Sequence, residues 1–327
     1  MKFLIAGLGS IGRRHLRNLL SLGERDILLY RTHRSTLPDD ELDAFPVETD
    51  LQAALAQEPD AVIVSNPTSV HLEVAIPAAE AGCHLLIEKP ISHSMDGVEK
   101  LSAAVQRSGS QVLVGYQFRF HPGLRKVAGL LEASAIGRPL SVRVHWGEYL
   151  PGWHPWEDYR QGYSARSELG GGVILTLSHP LDYLRWLVGE VESVWAFARQ
   201  LSDLALDVED TAEIGLQFAD GVTGSVHLDY NQRPSEHYLE IIGTQGALRW
   251  DSAAGAVRWQ RADNTTEEYP VPPDFERNHL FMGEMRHFIQ VAKGETESLC
   301  TLGDGIQALR LAEAARESSQ EGKLVYL

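Results

Sequence analysis

Apolar and polar residues alternate along the N-terminal part of the chain in the order strand, helix, strand. Short apolar runs are typical of strands buried on both faces, and the longer stretches between them repeat apolar residues at helical spacing. The predicted strands are Lys2–Ala6, Asp26–Tyr30, Ala61–Ser65, His84–Ile87 and Gln111–Gly115, and the predicted helices are Ile11–Ser21, Asp50–Gln57, Ser69–Ala81 and Ser94–Ser108. This alternation predicts an α/β fold with a doubly wound parallel sheet, the Rossmann arrangement.

The pattern changes after residue 120. A helix over His121–Leu131 is followed by segments in which every second residue is apolar, as in strands with one buried face. These strands are Pro139–Gly147, Val194–Arg199, Ala212–Phe218, Val222–Asp229, His237–Gly243 and Ala247–Asp251, and helices Leu280–Ala292 and Asp304–Ser319 precede a last strand, Leu324–Tyr326. Strands that follow one another without helices predict an antiparallel sheet. We therefore expect two domains, residues 1–120 and 121–327.

Composition limits the classes of partner. The chain has 327 residues and a formal net charge of -16, which disfavours binding to nucleic acid or to an anionic membrane surface. Cys83 and Cys300 are too few for a disulfide scaffold and lack metal-ligand spacing. Glycines interrupt the apolar N-terminal run, no small-residue cleavage site follows, and no apolar run approaches a bilayer span. We expect a cytoplasmic protein that binds no metal.

A glycine-rich loop follows the first predicted strand. Gly7, Gly9 and Gly12 have the GxGxxG spacing, and Ser10 and Ile11 lie between a strand and a helix. In such a loop the first glycine permits the turn, the second lets the backbone approach a pyrophosphate, and the third lets the helix pack against the strand. The loop therefore predicts a nicotinamide dinucleotide site.

The end of the second strand indicates which dinucleotide is bound. An NAD site commonly places an acidic residue there, on the ribose hydroxyls, but this chain has Arg31, Thr32 and Arg34. Guanidinium groups and a hydroxyl can bind a 2′-phosphate that an acid would repel. We expect NADP(H), with NAD(H) and an exposed basic loop as the alternatives.

Two further strand ends carry polar residues. Ser65, Asn66 and Pro67 close one strand, with His71 following, and Glu88-Lys89-Pro90 closes the next. Because the carboxyl ends of strands in an open parallel sheet border the ligand crevice, these residues are expected to face the cofactor.

Taken together, these motifs resemble those of a known family. They are Gly7-x-Gly9-x-x-Gly12 with His15, Asn66-Pro67 with His71, Glu88-Lys89-Pro90, Gly170-Gly171-Gly172, and His179-x-x-Asp182. The chain resembles the glucose-fructose oxidoreductase, inositol dehydrogenase and MocA-type (Gfo/Idh/MocA) oxidoreductases over essentially its whole length. The resemblance implies a C-terminal α+β domain with a large, mostly antiparallel, open-faced sheet that often mediates oligomers, here a homodimer or homotetramer. It also implies hydride transfer at a sugar or polyol carbinol, with Gln117 where relatives often carry an asparagine near the nicotinamide.

Lys89 and His179 are the catalytic candidates. Oxidation of an alcohol requires a base for the hydroxyl proton, and a positively charged nicotinamide favours the neutral, proton-accepting form of Lys89, which Glu88 opposes. Imidazole titrates near working pH, so His179 is the second candidate, and Asp182 is spaced to orient its ring. We assign the two jointly and expect them to converge above the nicotinamide. The alternatives are that Lys89 only pairs with Glu88 and that His179 is structural.

Around His179 the chain departs from the family pattern. Thr176 stands where many members have an acidic residue, and it is retained here as a possible hydroxyl contact. Pro180 either ends the preceding helix or lies in a new helix capped by Ser178.

Substrate candidates cluster in an aromatic stretch. Trp146, Tyr149, Trp153, Trp156, Tyr159 and Tyr163 lie close together in the sequence. Such rings stack on the apolar face of a sugar or pack an extended loop, and both interpretations stay open. Arg119, Arg160, Arg166 and Arg277 are candidates to bind a substrate phosphate or carboxylate, or are solvated surface residues. Asn278 and His279 are weaker candidates.

The function that these features favour is an NAD(P)-dependent sugar dehydrogenase or reductase. It would act on a sugar, sugar phosphate, nucleotide sugar or cyclitol. Two alternatives are a glycoside hydrolase that oxidises its substrate only transiently and a cofactor-binding regulator without catalysis. A metal enzyme is disfavoured because the 13 histidines show no HExxH or paired ligand spacing.

Overall fold

The computed structural model describes residues 1–32, 40–155 and 157–327, and it divides into two compact units. The first unit comprises Met1–Gln117, Glu168–Gly170 and Arg277–Leu309, and the second comprises Phe118–Ser167, Gly171–Glu276 and Arg310–Leu327. The division into residues 1–120 and 121–327 stays a prediction, and the first compact unit also takes in Arg277–Leu309 from near the end of the chain.

The first unit contains a six-stranded parallel sheet. Its strands are β1 (Phe3–Ala6), β2 (Ile27–Tyr30), β3 (Val47–Glu48), β4 (Ala61–Val64), β5 (His84–Ile87) and β6 (Val112–Val114). The strand order is β3-β2-β1-β4-β5-β6, and every residue of β1 and β4 is buried. The order reverses between β1 and β4, and ligands bind at such a switch point, outside the carboxyl ends of the strands. The predicted doubly wound sheet is confirmed, whereas the short edge strand β3 was not predicted.

Helices cover this sheet. They are α1 (Ser10–Ser21), α2 (Leu51–Leu55), α3 (His71–Glu80), α4 (Val98–Ser108) and α8 (Asn278–Ala292), with α9 (Leu302–Glu321) beginning here and ending in the second unit. Helix α2 is shorter than predicted. Asp50 caps its start by accepting the Ala53 N–H at 2.8 Å, and Glu58 leaves the helical conformation with φ 55 just before Pro59.

A nine-stranded sheet forms the second unit. Its strands are β7 (Pro139–Gly147), β8 (Val191–Arg199), β9 (Thr211–Phe218), β10 (Thr223–Asp229), β11 (Glu236–Gly243), β12 (Gly246–Asp251), β13 (Ala256–Arg261), β14 (Thr266–Tyr269) and β15 (Val325–Tyr326), in the order β14-β13-β12-β11-β7-β10-β9-β8-β15. Neighbours are antiparallel except β7 and β10, which pair in parallel. The predicted mostly antiparallel sheet is confirmed. Strands β13 and β14 were not predicted, because their exposed, charged residues lack the regular apolar alternation.

One face of the nine-stranded sheet is buried and the other is open. Along β9, Ala212 and Ile214 are buried while Glu213 between them is exposed, and on β8 Trp195 and Phe197 are exposed on alternate positions. The helices of this unit are α5 (Pro122–Glu132), α6 (Val173–Thr176), α7 (His179–Val188) and the end of α9. None of the described helices has both the length and the apolar character needed to cross a membrane.

Candidate cofactor and substrate sites

The glycine-rich loop after β1 is shaped by close backbone contacts. Gly7 has φ 95, and a side chain there would collide with the backbone of Asn66. A Cβ on Gly12 would overlap the carbonyl oxygen of Gly7 and lie 2.8 Å from Oγ of Ser65. The hydroxyl of Ser65 donates to that carbonyl at 2.9 Å. The first and third glycines are therefore required by the protein's own packing.

Gly9 is the exception in this loop. A Cβ added at Gly9 would meet no atom of the described residues within 4 Å, so none of them fills the space beside it. Gly9 is also the N-cap of α1, which has no side-chain cap and no acidic residue in its first turn, and Ser10 is exposed. A helix N-terminus with free N–H groups and room beside it binds an anion. These residues fit a dinucleotide pyrophosphate, with Ile11 half-buried behind them.

The end of β2 carries a cation. Arg31 is buried, with 8% of its surface exposed, and its backbone N–H donates to the carbonyl of Glu48 at 3.1 Å. Thr32 is exposed, and Arg34 lies outside the described residues. A guanidinium thus occupies the strand end where an NAD site would place a carboxylate.

The loops after β4 and β5 are joined by a histidine. The ring of His71 lies 2.9 Å from the carbonyl oxygens of both Asn66 and Pro90. Burial lowers the pKa of His71, against the effect of these two hydrogen bonds. The predicted cofactor residue His71 therefore fixes the two loops relative to each other, with Pro67 exposed.

Lys89 directly follows Glu88, whose two carboxylate oxygens both accept hydrogen bonds. Glu88 accepts a hydrogen bond from Nε2 of His15 at 2.7 Å on one carboxylate oxygen and from the Lys89 backbone N–H at 3.2 Å on the other. Glu88 is buried, whereas the side chain of Lys89 is half-buried. Gln117, after β6, is buried as well. Lys89 thus lies at a strand end of the same edge as the glycine-rich loop.

In the second unit, His179 lies inside an aromatic cluster. It is 2% exposed, its ring packs edge-on against Phe118 with centroids 4.9 Å apart, and Trp146 lies 5.6 Å away. Helix α7 starts at His179, with Ser178 as its N-cap and Pro180 in its first turn. Of the two alternatives for Pro180, the new helix is the one formed. The aromatic contacts hold the imidazole in a single orientation.

Two predicted substrate residues bind each other. The guanidinium of Arg119 donates to both carboxylate oxygens of Asp182, at 2.7 and 3.0 Å, and both side chains are buried. This bidentate pair fixes Asp182, on α7, to the short helical turn Gln117–Phe120.

The remaining substrate candidates fall into three groups. Thr176 is buried and is a hydrogen-bond partner of Tyr230, while Trp153 packs edge-on against the same tyrosine at 5.5 Å. Among the other aromatic candidates, Trp156 lies outside the described residues, and the half-buried members are Tyr149, Tyr159 and Tyr163. Among the basic and polar candidates, Arg160 is exposed and pairs with Asp158, Arg166 is half-buried, and the exposed members are Arg277, Asn278 and His279.

Sequence reasoning missed two histidines near His179. His237 stacks on Trp146 at 4.2 Å, and His121 caps α5 by accepting the Gly123 N–H. Burial lowers the pKa of His121 to about 4 and that of His237 well below its usual value, so both rings are neutral. Nothing in the local sequence distinguishes them, because each occupies a position that the pattern marks only as buried or as a helix start.

A second ionisable cluster lies on the nine-stranded sheet. His227 is bonded to Glu213 at 2.6 Å and to Asp229 at 3.0 Å, and its ring stacks on His145 at 4.5 Å. The hydrogen bond to Asp229, and then that to Glu213, raises the pKa of His227 against the effect of burial. The two imidazole rings lie within 15° of parallel, which does not suit a metal ion in the plane of both rings.

Comparison with known proteins agrees with this architecture. Residues 1–116 match the model of the oxidoreductase family with an NAD-binding Rossmann fold, and residues 124–249 match the GFO/IDH/MocA C-terminal domain. An uncharacterized oxidoreductase, YrbE, of Bacillus subtilis is 30% identical over 96% of this chain and 93% of its own length. The chain belongs to the Gfo/Idh/MocA oxidoreductase family.

Two further relatives match this Gfo/Idh/MocA chain along its length. The myo-inositol 2-dehydrogenase of Thermotoga maritima is 27% identical over 100% of this chain and 98% of its own. The crystal structure of the WlbA dehydrogenase from Bordetella pertussis, in complex with NADH and UDP-GlcNAcA, has a TM-score of 0.85 and 25% identity, and the match covers 100% of this chain and 97% of that one. The family membership that the motifs predicted is confirmed.

Proposed function

We propose that this chain transfers a hydride between a nicotinamide dinucleotide and a carbinol carbon of a sugar, sugar phosphate, nucleotide sugar or cyclitol. The observation that carries the proposal is that none of the described residues fills the space beside Gly9 at the uncapped start of α1, on the same sheet edge as Lys89. The substrate class is supported by the names of the relatives, one an inositol dehydrogenase and one bound to a nucleotide sugar.

When bound, the nicotinamide accepts or supplies the hydride. The chain's own groups handle the proton. Lys89 binds the reacting hydroxyl oxygen of the substrate and takes its proton in the oxidative direction or returns it in the reductive one. Glu88 supports this role because its carboxylate is fixed by His15 and accepts the Lys89 backbone N–H, which holds the residue at the strand end.

His179 is the second proton-handling group. The contacts with Phe118 and Trp146 orient its ring and exclude water from it. The further substrate contacts that we propose are Trp153, Tyr163 and Thr176, and the Arg119–Asp182 pair holds the start of α7 in place beside them.

Kinetics of two variants test the assignment. A screen of sugars, cyclitols and nucleotide sugars identifies a substrate by the absorbance change of the nicotinamide. Lys89→Met and His179→Ala should then each lower kcat/KM by about 10²- to 10⁴-fold while the affinity for reduced cofactor stays unchanged. Lys100→Met, an exposed lysine on α4, is the matched control and should be fully active.

The outcomes separate the alternatives. Full activity of either variant removes that residue from the mechanism. Release of a sugar without net cofactor reduction would indicate the hydrolase, and a ligand response that survives Lys89→Met with bound cofactor would indicate the regulator.

We propose that the cofactor is NADP(H), since Arg31 occupies the end of β2. A charge-assisted hydrogen bond contributes about 1.5–3 kcal/mol, so NADPH should bind about 10- to 100-fold more tightly than NADH, and Arg31→Gln should abolish the difference. Arg107→Gln, on the exposed part of α4, should leave it unchanged. Equal affinities, or a preference for NADH, would contradict the proposal.

We also propose that the chain forms a homodimer or homotetramer in the cytoplasm through the open face of its nine-stranded sheet. The proposal is supported by Trp195 and Phe197, which are 40% and 56% exposed and whose ring centroids lie 4.4 Å apart. Phe197→Asp should reduce the mass measured by light scattering to that of one chain, whereas Leu201→Asp, an exposed leucine after β8, should not. A wild-type monomer would contradict the proposal.

A further inference from the structure

Three ionisable side chains from distant parts of the sequence meet inside the first unit. They are His15 on α1, Glu88 at the end of β5 and Glu284 on α8, and one polar atom of each lies within 4.8 Å of the others. His15 and Glu284 are completely buried, and Glu88 is 7% exposed. Water therefore does not solvate the charges of this cluster.

The two carboxyl groups of the cluster differ in their hydrogen bonds. Glu88 accepts from His15 at 2.7 Å and from the Lys89 backbone N–H at 3.2 Å. Neither carboxyl oxygen of Glu284 is hydrogen-bonded to any residue that the structure describes. A buried carboxylate without donors is costly, so Glu284 is stable there only as the neutral acid.

The pKa values of the two carboxyl groups are shifted in opposite directions. Burial acts to raise the pKa of Glu88, but the hydrogen bond and charge of His15, together with Lys89, outweigh it and hold the pKa below the usual value. Burial, and then the negative charge of Glu88, raises the pKa of Glu284 well above its usual value. Two carboxyls at such short range do not ionise together. At neutral pH the cluster holds one ionised and one protonated carboxyl.

Two cationic side chains among the described residues interact with Glu88 from outside the cluster. The positive charge of Arg14, on α1, is attracted by the negative charge of Glu88 and repelled by the positive charge of Arg277 at the start of α8. Lys89 interacts with Glu88 through its charge. The single carboxylate therefore interacts with the two cationic side chains of Arg14 and Lys89, and the second carboxyl contributes a proton rather than a charge.

An ionisable residue in this place makes the fold less stable than an apolar or amide residue of similar size would, because its acid must stay protonated at neutral pH. Such a cost is typical of functional positions. We propose that Glu88 and Glu284 form one carboxyl pair that carries a single negative charge beside Lys89, with Glu284 as the positioning residue that holds the proton. The inference rests on the proposed role of Lys89.

The two members of the pair are not interchangeable, because burial without a donor among the described residues keeps Glu284 protonated even when Glu88 is removed. Glu284→Gln leaves the ionised Glu88 in place. Glu88→Gln removes the ionised member, so this variant and the double variant Glu88→Gln/Glu284→Gln both lack the charge beside Lys89.

Infrared difference spectroscopy tests the pair without any substrate. The spectrum of the wild type minus that of Glu284→Gln at neutral pH should contain the C=O stretch of a protonated carboxylic acid. Glu88→Gln should keep this band at a shifted frequency, because the charge next to the acid is gone. Glu80→Gln, an exposed residue on α3, is the control and should keep the band unshifted. The absence of the band in the wild type, its presence in Glu284→Gln, or an unshifted band in Glu88→Gln would overturn the proposal.

Unfolding as a function of pH provides a second readout that needs no activity. A carboxyl whose pKa is raised by folding stabilises the native state fully below its unfolded value, near 4.5, and this stability is lost as pH rises through the folded value. Glu284→Gln removes this dependence. Its Tm should match that of the wild type near pH 4.5 and exceed it increasingly towards pH 8, and a Tm that stays equal or falls below would contradict a protonated Glu284.

Kinetics then connect the pair to Lys89. Glu284→Gln should keep kcat/KM within about tenfold of the wild type, whereas Glu88→Gln and the double variant should both lose more, by similar factors and with a changed pH profile, because both lack the charge. Equal losses in the two single variants, together with the expected infrared result, would show that the pair exists but that the proposed role of Lys89 is wrong. Metal analysis supplies one further check. If the wild type bound one divalent cation per chain and Glu284→Gln did not, a metal ion rather than a proton would lie between the carboxyl groups, and the inference would be overturned.

Discussion

Gly9 in the first unit and Gly172 in the second are both N-caps of helices, yet they are surrounded differently. A Cβ added to Gly9 would have no atom within 4 Å in the part of the chain that the structure describes, whereas a Cβ on Gly172 would lie 2.6 Å from a carboxylate oxygen of Glu209. That glutamate also occupies the start of α6, where its carbonyl accepts the Val173 N–H and its side chain accepts the Ile174 N–H. The described residues complete the start of α6 but leave the start of α1 without a side-chain partner.

The same contrast extends to the polar side chains of each unit. In the second unit Arg119 and Asp182 form an ion pair with each other, whereas in the first unit the start of α1 has no side-chain cap. A glycine at a helix start or a buried arginine therefore does not by itself indicate ligand binding. What decides the role is whether the chain supplies the partner.

The largest expected effect comes from breaking the internal pair of the second unit. Arg119→Ala leaves the buried carboxylate of Asp182 without its main partner and should destabilise the fold by about 3–5 kcal/mol, measured by denaturant unfolding. Arg160→Ala removes an equally bidentate but fully exposed pair with Asp158 and should leave the unfolding midpoint unchanged. If both variants unfolded alike, the internal pair would not be a stabilising contact.

An intermediate effect should separate the two glycines. Gly172 has φ 102 and faces Glu209, so Gly172→Ala should cost about 2–4 kcal/mol of unfolding free energy through strain and crowding. Gly9 has φ -71, so Gly9→Ala should change stability by less than about 0.5 kcal/mol but weaken NAD(P)H binding by at least about tenfold. Unfolding and fluorescence titration measure the two effects. Unchanged cofactor affinity in Gly9→Ala would show that the open space is not the pyrophosphate site.

The smallest effect concerns pH. The pKa of His227 is raised by its hydrogen bond to Asp229, so its stabilisation is present below about pH 6.5 and is lost as pH rises through the folded value. Since the ring is half-exposed, His227→Gln should lower the free energy of unfolding by less than about 1 kcal/mol at pH 6 and leave it unchanged at pH 9.

His84 in the first unit supplies a control of opposite sign. Burial lowers the pKa of His84, so its contribution is present at high pH and is lost as pH falls. His84→Gln should therefore reduce the fall of Tm as the pH is lowered. If Tm changed with pH in the same way in His84→Gln and in His227→Gln, the opposite pKa shifts assigned to the two histidines would be contradicted.

The sequence predicts the first unit well and the second only in part. The spacing of Gly7, Gly9 and Gly12 reflects the geometry of one local turn, so it can be read from the sequence without knowledge of distant contacts. The partners of Asp182 and Gly172 are residues far away along the chain, and no local pattern connects Glu209 to a glycine or Glu284 to a strand end. Strand periodicity places His237 in a buried row but does not identify its neighbours. Side-chain clusters therefore required the structure.

The contribution of Arg277–Leu309 to the first unit has a consequence for how the protein forms. The backbone N–H of Val114 donates to the carbonyl of Cys300, and Gly305 packs against Ile91 and Val114, so this sheet remains unfinished until nearly the entire polypeptide has left the ribosome. Nascent chains released early would present an uncovered apolar edge to chaperones and proteases. A gene fragment ending near codon 120 should accordingly yield an aggregation-prone product, even though it encodes every motif of the glycine-rich loop.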